Sequence, residues 1–212
     1  MNYIKSPFNY IGNKYRQLPQ LTCIFPSKVN NFIDLFCGGG DVSVNVAAQH
    51  IYANDINAPV IDIMRDFQKY PIEEILAFMD KRIAEFKLDK TNSEGYYNYR
   101  DLYNNGTYST PLDLFTLARF SFNNTIRFNN DLQLNAAFGK NRSSFNPAQR
   151  ANTVNFHRAI QDVSLSSLNF REFDITPFGA EDFLYADPPY LISAALYNTG
   201  ARNAGQRWEL QD

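Results

Sequence analysis

The sequence predicts an α/β fold: a largely parallel sheet with helices on both faces, carrying a helical and β-hairpin segment inserted between its second and third strands. Three observations lead there. Short apolar runs at 32–36, 51–54, 168–173 and 183–187 read as buried strands. A glycine loop, Cys37-Gly38-Gly39-Gly40, follows the first run. A long block of helical periodicity then separates the second run from the third, which is the spacing of crossover connections rather than of hairpins.

The chain opens with turn formers around aromatics, Lys5 to Lys14, before a short helix expected from Tyr15 to Phe25. Gly12-Asn13 reads by itself as a turn. Phe32-Ile33-Asp34-Leu35-Phe36, the glycine loop and Asp41 to Ala48 then read as strand, loop and helix. Glycines let backbone approach a ligand closely, and a helix N-terminus offers free N–H groups. Asp41 is explained more simply as the cap of that helix. The strand Ile51 to Asn54 ends at Asp55, about where dinucleotide folds place an acid on ribose hydroxyls. The loop lacks the G-x-G-x-x-G spacing, so a nucleoside-bearing cofactor without a pyrophosphate is expected.

Residues 57–121 are expected to be helical support. Ile72, Ile75, Leu76, Met79, Ile83 and Phe86 form a core stripe, while Glu73, Glu74, Asp80, Lys81 and Arg82 read as its solvated face. Tyr96, Tyr97, Tyr99 and Tyr103 read as helix packing; Asn104-Asn105-Gly106 ends their helix and Pro111 opens the next. From Phe115 to Arg158 the balance turns basic, with Arg119, Arg127, Lys140, Arg142, Arg150 and Arg158 against Asp131. Within it, Thr125 to Phe128 and Leu132 to Asn135 alternate around a turn and read as a β-hairpin. Such a hairpin fits a major groove, and arginine suits bidentate contact with guanine; an ordinary surface hairpin has the same pattern. Asn146 and Pro147 start a helix expected to reach Val163.

The chemistry is expected at Asp187-Pro188-Pro189-Tyr190, which ends the apolar run Phe183 to Ala186. Open α/β sheets bind ligands at that carboxyl edge. An exocyclic amine on a nucleobase is a weak nucleophile, because its lone pair is delocalised into the ring. A carboxylate at Asp187 and a carbonyl at Pro188 can each accept one of its N–H groups, and Tyr190 offers a stacking face. A tight turn after a strand would have the same sequence.

Composition narrows the alternatives. The 212 residues carry a formal charge of −2, so nucleic-acid contact must come from a local basic surface. Two cysteines, Cys23 and Cys37, make no disulfide framework, and two histidines, His50 and His157, leave no metal-ligand cluster or nucleophile–histidine pair. No membrane-length apolar run occurs, and a reducing cytoplasm and a monomer are the working expectations.

With these residues in place, the chain resembles the Dam family of S-adenosylmethionine-dependent adenine-N6 DNA methyltransferases, especially its phage-type members. The resemblance runs from about Asn9 to Tyr197. It is carried by Tyr10-Ile11-Gly12-Asn13-Lys14, Asp34-Leu35-Phe36-Cys37-Gly38-Gly39, Ala53-Asn54-Asp55-Ile56-Asn57, Asn124-Thr125-Ile126-Arg127-Phe128-Asn129, Phe138-Gly139-Lys140 and Asp187-Pro188-Pro189-Tyr190-Leu191-Ile192.

The resemblance implies a Rossmann-like class I methyltransferase sheet, with S-adenosyl-L-methionine held by Tyr10, Lys14, Asp34, Phe36, Gly38, Gly39, Asp55 and Asp187. It implies Asp187, Pro188 and Tyr190 as the catalytic set acting on a flipped adenine. Double-stranded DNA, expected at GATC, would be contacted by Asn124, Arg127, Asn129, Lys140 and Arg142, with Arg127 reading guanine and no metal involved. Residues 1–55 and 165–212 would form the cofactor-binding catalytic domain, and 56–164 the recognition insert. Two departures stand out: Tyr10-Ile11-Gly12-Asn13-Lys14 in place of the family's Trp/Tyr-Ala-Gly-Gly-Lys, and Ala137 in place of the proline of Pro-Phe-Gly. Family members continue past the length reached at Asp212, so a C-terminal truncation is expected.

Other classes fit less well. A non-catalytic remnant that binds DNA or cofactor is the main alternative. A methyltransferase for RNA or a protein amide usually has Asn where Asp187 stands, and a dehydrogenase would need the missing glycine spacing.

Overall fold

A computed structural model of the chain describes residues 2–188; Pro189 and Tyr190, with the rest of the C-terminal stretch, lie outside the described residues. The strands are β1 (Asn31–Asp34), β2 (His50–Asn54), β3 (Val163–Ser166) and β4 (Phe183–Tyr185). They form one sheet in the order β3-β2-β1-β4, and every pairing is parallel. The helices are α1 (Leu18–Ile24), α2 (Ala58–Lys69), α3 (Ile72–Glu85), α4 (Ser93–Asn104), α5 (Pro111–Phe120) and α6 (Pro147–Ile160). The expected α/β architecture is the observed one.

Each face of the sheet is covered. One larger core runs from Ala53 and Val163 through Val60, Ile61, Met64 and Phe67 of α2 to α5, the hairpin residues Phe128 and Leu134, and Phe156 of α6. Sheet and insert therefore share a single apolar interior. The opposite face is sealed by α1, where Leu18 packs with Val29, Phe32 and Val42. Phe25 lies against Phe32, Phe183 and Tyr185 there, with ring centroids 5.3–5.6 Å apart. Strand β4 is not the fully buried strand that its sequence suggests: Leu184 is 42% exposed.

Helix ends follow the local chemistry. Thr110 and Asp113 form a reciprocal capping box at α5, and the Asn146 side chain accepts the Gln149 N–H at α6. Tyr96 and Tyr99 are fully buried, Tyr99 stacked on Phe86 at 4.3 Å, as the packing reading of those tyrosines requires. Arg82 departs from the solvated face assigned to it. Its Nε donates to the buried Asp113 carboxylate at 2.8 Å, which also accepts the Tyr99 hydroxyl at 2.6 Å.

Two expected elements are corrected. The glycine loop is followed by a single 3-10 turn, Ser43–Asn45, not by a helix to Ala48. Asn45 explains this: its amide exchanges both hydrogen bonds with the Ile4 backbone, so the segment docks the N-terminal strand of chain instead of propagating helix. Asp41 accordingly accepts the Ser6 N–H at 3.0 Å and caps nothing. The third strand is Val163–Ser166 rather than 168–173, because Ile51–Asn54 of β2 pairs with 163–166. Asn54 then pins the departing chain, accepting Leu168 N–H and Ser166 hydroxyl and donating to Leu168 carbonyl. Residues 169–172 turn, with Asn169 accepting from Glu172 and Arg171.

Candidate active site

The site is built on the exit from β1. Leu35 N–H donates to Tyr185 O of β4 at 3.0 Å, and Cys37 N–H to Asn54 O of β2 at 2.8 Å, so the loop is tied to both neighbours. Gly40 N–H closes the turn on Cys37 O at 2.8 Å. Gly38 has φ +52°, and a Cβ there would stand 2.8 Å from a ring carbon of Tyr10. A side chain is thus excluded by backbone conformation and by space together. Tyr10 lies directly on the loop because the preceding residues are fastened along it. Ser6 Oγ donates to Gly39 O at 2.6 Å. Phe8 inserts its ring among Phe115, Phe156 and Phe67, a burial that contributes roughly 1.5–3 kcal/mol toward ordering this strap.

Three carboxylates converge at this edge. Asp55 directly follows β2 and accepts three hydrogen bonds: Oδ2 accepts Gly38 N–H at 2.8 Å, and Oδ1 accepts Asn57 N–H at 2.9 Å and the Tyr10 hydroxyl at 3.3 Å. Asp34 is buried, with Oδ2 accepting the Ser43 hydroxyl at 2.6 Å and Oδ1 without a partner among the described residues. Burial pushes the Asp34 carboxyl up to about 7, against the Ser43 hydrogen bond, and the charges of Asp55 and Asp187 push the same way. Burial likewise raises Asp55, although three hydrogen bonds oppose the shift. Asp187, just beyond β4, pairs with Lys14, which also donates to Gly12 O at 3.0 Å.

The structure therefore brings together Tyr10, Lys14, Asp34, Gly38, Gly39, Asp55 and Asp187. Phe36 sits at the same edge with its ring 5.5 Å from Phe170. Pro188 follows Asp187 at the last described position, and Tyr190 is outside the described residues. Sequence reasoning missed Asn57, which donates to the Tyr10 hydroxyl at 3.5 Å, and Ser43, whose hydroxyl donates to the Asp34 side chain. The spacing Asn54-Asp55-Ile56-Asn57 was the available signal for Asn57; nothing local marked Ser43.

The donor set suits a cationic, nucleoside-bearing group. An orphaned buried carboxylate oxygen and three acids against one lysine favour a ligand with positive charge, and Tyr10 offers an aromatic face beside a glycine backbone. Among the described residues, no cluster of three or more His, Cys, Asp or Glu side chains could hold a metal ion, and no helix is long and apolar enough to cross a membrane.

The basic insert is less uniformly exposed than its composition suggests. Arg119 is 2% exposed, donating to Pro7 O, and Arg150 pairs with Asp80. Arg127, Lys140 and Arg142 are exposed. The hairpin is longer and more irregular than expected. It is joined by isolated antiparallel bridges at Ser121·Phe138 and Phe128·Leu134, and interrupted by Asn123 and Asn124 at φ +56° and +55°. The Asn124 amide donates to Arg119 O at 2.9 Å and accepts from Gln149. The Asn129 side-chain Oδ1 accepts the N–H groups of Asp131 and Gln133 and so builds the hairpin tip.

Comparison with known proteins decides the family. A family profile described as D12 class N6 adenine-specific DNA methyltransferase matches residues 10–211. The chain belongs to that family. The match extends beyond Tyr197, where the sequence resemblance was expected to end. Type II methyltransferase M.FokI of Planomicrobium okeanokoites is 41% identical over 95% of this chain and 31% of its own length. Modification methylase StsI of Streptococcus sanguinis is 42% identical over 94% of this chain and 31% of its own. The DNA N-6-adenine-methyltransferase of Escherichia phage P1 is 26% identical over 88% and 24%. The expected phage-type affinity is thus corrected toward type II modification enzymes, and the chain spans about a third of the length of its FokI and StsI relatives.

Proposed function

We propose that this chain acts in a site-specific DNA methyltransferase, moving a methyl group from S-adenosyl-L-methionine to N6 of an adenine taken out of duplex DNA. The observation that carries the reading is the convergence of Asp34, Asp55 and Asp187 on the Tyr10-covered glycine loop at one sheet edge. The division into 1–55 with 165–212 for cofactor and base, and 56–164 for the duplex, belongs to the same proposal.

Tyr10, Lys14, Asp34, Phe36, Gly38, Gly39, Asp55 and Asp187 would hold the cofactor, with Asp55 reaching ribose hydroxyls through lone pairs left beside its existing bonds. Bound there, S-adenosyl-L-methionine supplies a methyl group on a positively charged sulfur. The Asp187 carboxylate and the Pro188 carbonyl accept the two N–H groups of the target amine, which directs its lone pair and stabilises the charge that builds on nitrogen. Residue 189 is proline, so no N–H of its own competes at the peptide bond after Pro188. Tyr190 stacks on the base. Lys14 holds the Asp187 carboxylate until the amine takes its place or shares it.

On the insert, Arg127 reads a guanine, and Lys140 and Arg142 contact phosphates. Asn124 and Asn129 contribute through the hairpin shape that their side chains build. GATC contains a guanine and is the first duplex to test; Ala137 in place of proline favours a different site.

Tritium transfer from labelled cofactor to unmethylated GATC duplex and to random-sequence duplex tests the reading. Transfer to adenine N6 is expected. Cofactor-induced thermal stabilisation with no turnover, in this chain and in one extended to the length of its relatives, would establish the non-catalytic alternative instead.

A further inference from the structure

We propose that Asn135 is a positioning residue for base recognition, holding the Arg127 guanidinium by its Nε so that the two terminal nitrogens face the DNA. The inference rests on the reading of the chain as a DNA methyltransferase and adds the means by which it discriminates a base.

Arg127 Nε donates to Asn135 Oδ1 at 2.9 Å, and Asn135 N–H donates to Arg127 O at 2.9 Å. The two residues therefore grip each other through backbone and side chain across the hairpin. Nη1 and Nη2 are the donors of Arg127 left uncommitted among the described residues. Guanine presents two acceptors, N7 and O6, on its major-groove edge, and an arginine meets them with two parallel N–H groups. With Nε committed, the end-on pair Nη1 and Nη2 is the edge that fits.

Asn135 can aim an arginine only if it is itself immobile, and the structure fixes it from both sides. Leu134 is buried, and its backbone is held in both directions by one side chain on α4: Asn104 Oδ1 accepts Leu134 N–H at 2.8 Å, and Asn104 Nδ2 donates to Leu134 O at 3.1 Å. On the other side, the buried Tyr96 hydroxyl donates to Ala136 O at 2.9 Å. The hairpin tip beyond is closed by Asn129. Helix α4 thus sets the height of residues 134 and 136, and Asn135 between them transmits that placement to Arg127. An exposed arginine would otherwise lose rotamer freedom on binding, and holding Nε in the free protein removes part of that cost.

Lysine could not replace Arg127 in this arrangement, since it has no Nε to be held and presents a single point charge. Conversely, Asn135→Asp keeps an acceptor at Oδ1, whereas Asn135→Ala removes it. This gives a test that separates aiming from packing.

The test is selection of duplexes from a random-sequence pool by the whole chain, its Arg127→Ala, Asn135→Ala and Asn135→Asp variants, with unfolding midpoints measured alongside. The unaltered chain should select a sequence with guanine at one position, and Arg127→Ala should lose that preference. Asn135→Ala should weaken it at the same position by about tenfold or more, the size of a bidentate contact, while Asn135→Asp should restore it. In methyl transfer the Asn135→Ala loss should raise KM for duplex and leave kcat close to its original value. Full guanine preference in Asn135→Ala overturns the proposal, as does loss in a folded Asn135→Asp, which would mark a packing role. A chain that selects no sequence and methylates none overturns this inference together with the function on which it rests; one that selects or methylates, with Asn135→Ala unaltered, overturns this inference alone.

Discussion

Lys14 forms an ion pair with Asp187, joining the strap at the start of the chain to the residue that follows the last described strand. Both side chains are mostly shielded, 16% and 21% exposed. The pair fastens the strap to the sheet edge and occupies the carboxylate assigned to the target amine.

Asp187→Asn keeps the shape of that side chain but removes its charge, and should lower methyl transfer by about a hundredfold or more, the usual cost of losing one preorganised electrostatic partner. Stability should change little, by about 1 kcal/mol or less, since a partly solvated pair contributes no more than that. Single-turnover transfer and urea unfolding read the two effects separately. A variant that transfers methyl at the original rate removes Asp187 from the chemistry.

Asp34 makes the site pH-dependent. Its carboxyl is raised from the usual 3.8 to about 7, first by burial and then by Asp55 and Asp187. The folded chain therefore binds this proton more tightly than the unfolded one. Its contribution to stability is greatest below about 4 and is lost as pH climbs to about 7. A cationic ligand favours the charged carboxylate, so cofactor affinity should rise between about pH 6 and 8 with release of up to one proton. Calorimetry in buffers of different ionisation enthalpy measures that release. Asp34→Asn should abolish it, and a pH-independent affinity in the unaltered chain would refute the assignment.

Gly38→Ala places a Cβ at φ +52°, within 2.8 Å of the Tyr10 ring. The strained backbone and the displaced ring should together cost about 1–3 kcal/mol, seen as a lower urea midpoint. Cofactor-induced stabilisation should fall further, because the loop and Tyr10 move together. An equal loss with and without cofactor would place the loop outside the binding site.

Arg119 is a buried guanidinium with no carboxylate paired to it among the described residues. Burial pushes it down to about 9; it lies over the Phe115 ring at 4.7 Å and donates to the Pro7 carbonyl, while Nε and Nη2 have no hydrogen-bond partner among the described residues. A group so depressed weakens the fold wherever it is charged, with the penalty fading as pH rises from about 9. Arg119→Met, of similar length and apolar, should raise stability at neutral pH by about 1–3 kcal/mol. Thermal unfolding reads the gain; a fall would mean that the Pro7 contact outweighs the buried charge.

How far these features were legible in the sequence varies with the range of the forces involved. The glycine loop, the strands before and after it, the Pro111 start of α5 and the Asn146 cap of α6 are local chemistry and were readable as such, while the Thr110–Asp113 capping box was passed over. The approach of Asp55 to Asp187 followed from strand ends, because parallel strands deliver their final residues to one edge, whereas Asp34, inside the expected strand 32–36, entered only through the family resemblance and proved to be the last residue of β1. The missing helix after Asp41 was not legible, since it depends on Asn45 finding the Ile4 backbone 41 residues away. Strand Val163–Ser166 was overlooked because it starts three residues after α6 ends and is short, whereas Phe170 and Phe173 imitate a strand while packing on Phe36 and Phe178. The insert's charge misled in another way: Arg119 and Arg150, two of the basic residues counted between Phe115 and Arg158, are held by Pro7 and Asp80, so the count overstated what a polyanion would meet.

The pairing of β1 with β4 joins residues 151 positions apart, as the Asn31–Asp182 hydrogen bond beside it marks. Most of the shared interior, from α2 through α6, can condense before that closure, but the acidic edge cannot. During synthesis the acidic edge would therefore be complete only after nearly all of the described chain has emerged. On refolding, amide protection should reach α2–α5 ahead of the β1–β4 seam, and competence to bind should arrive with the seam.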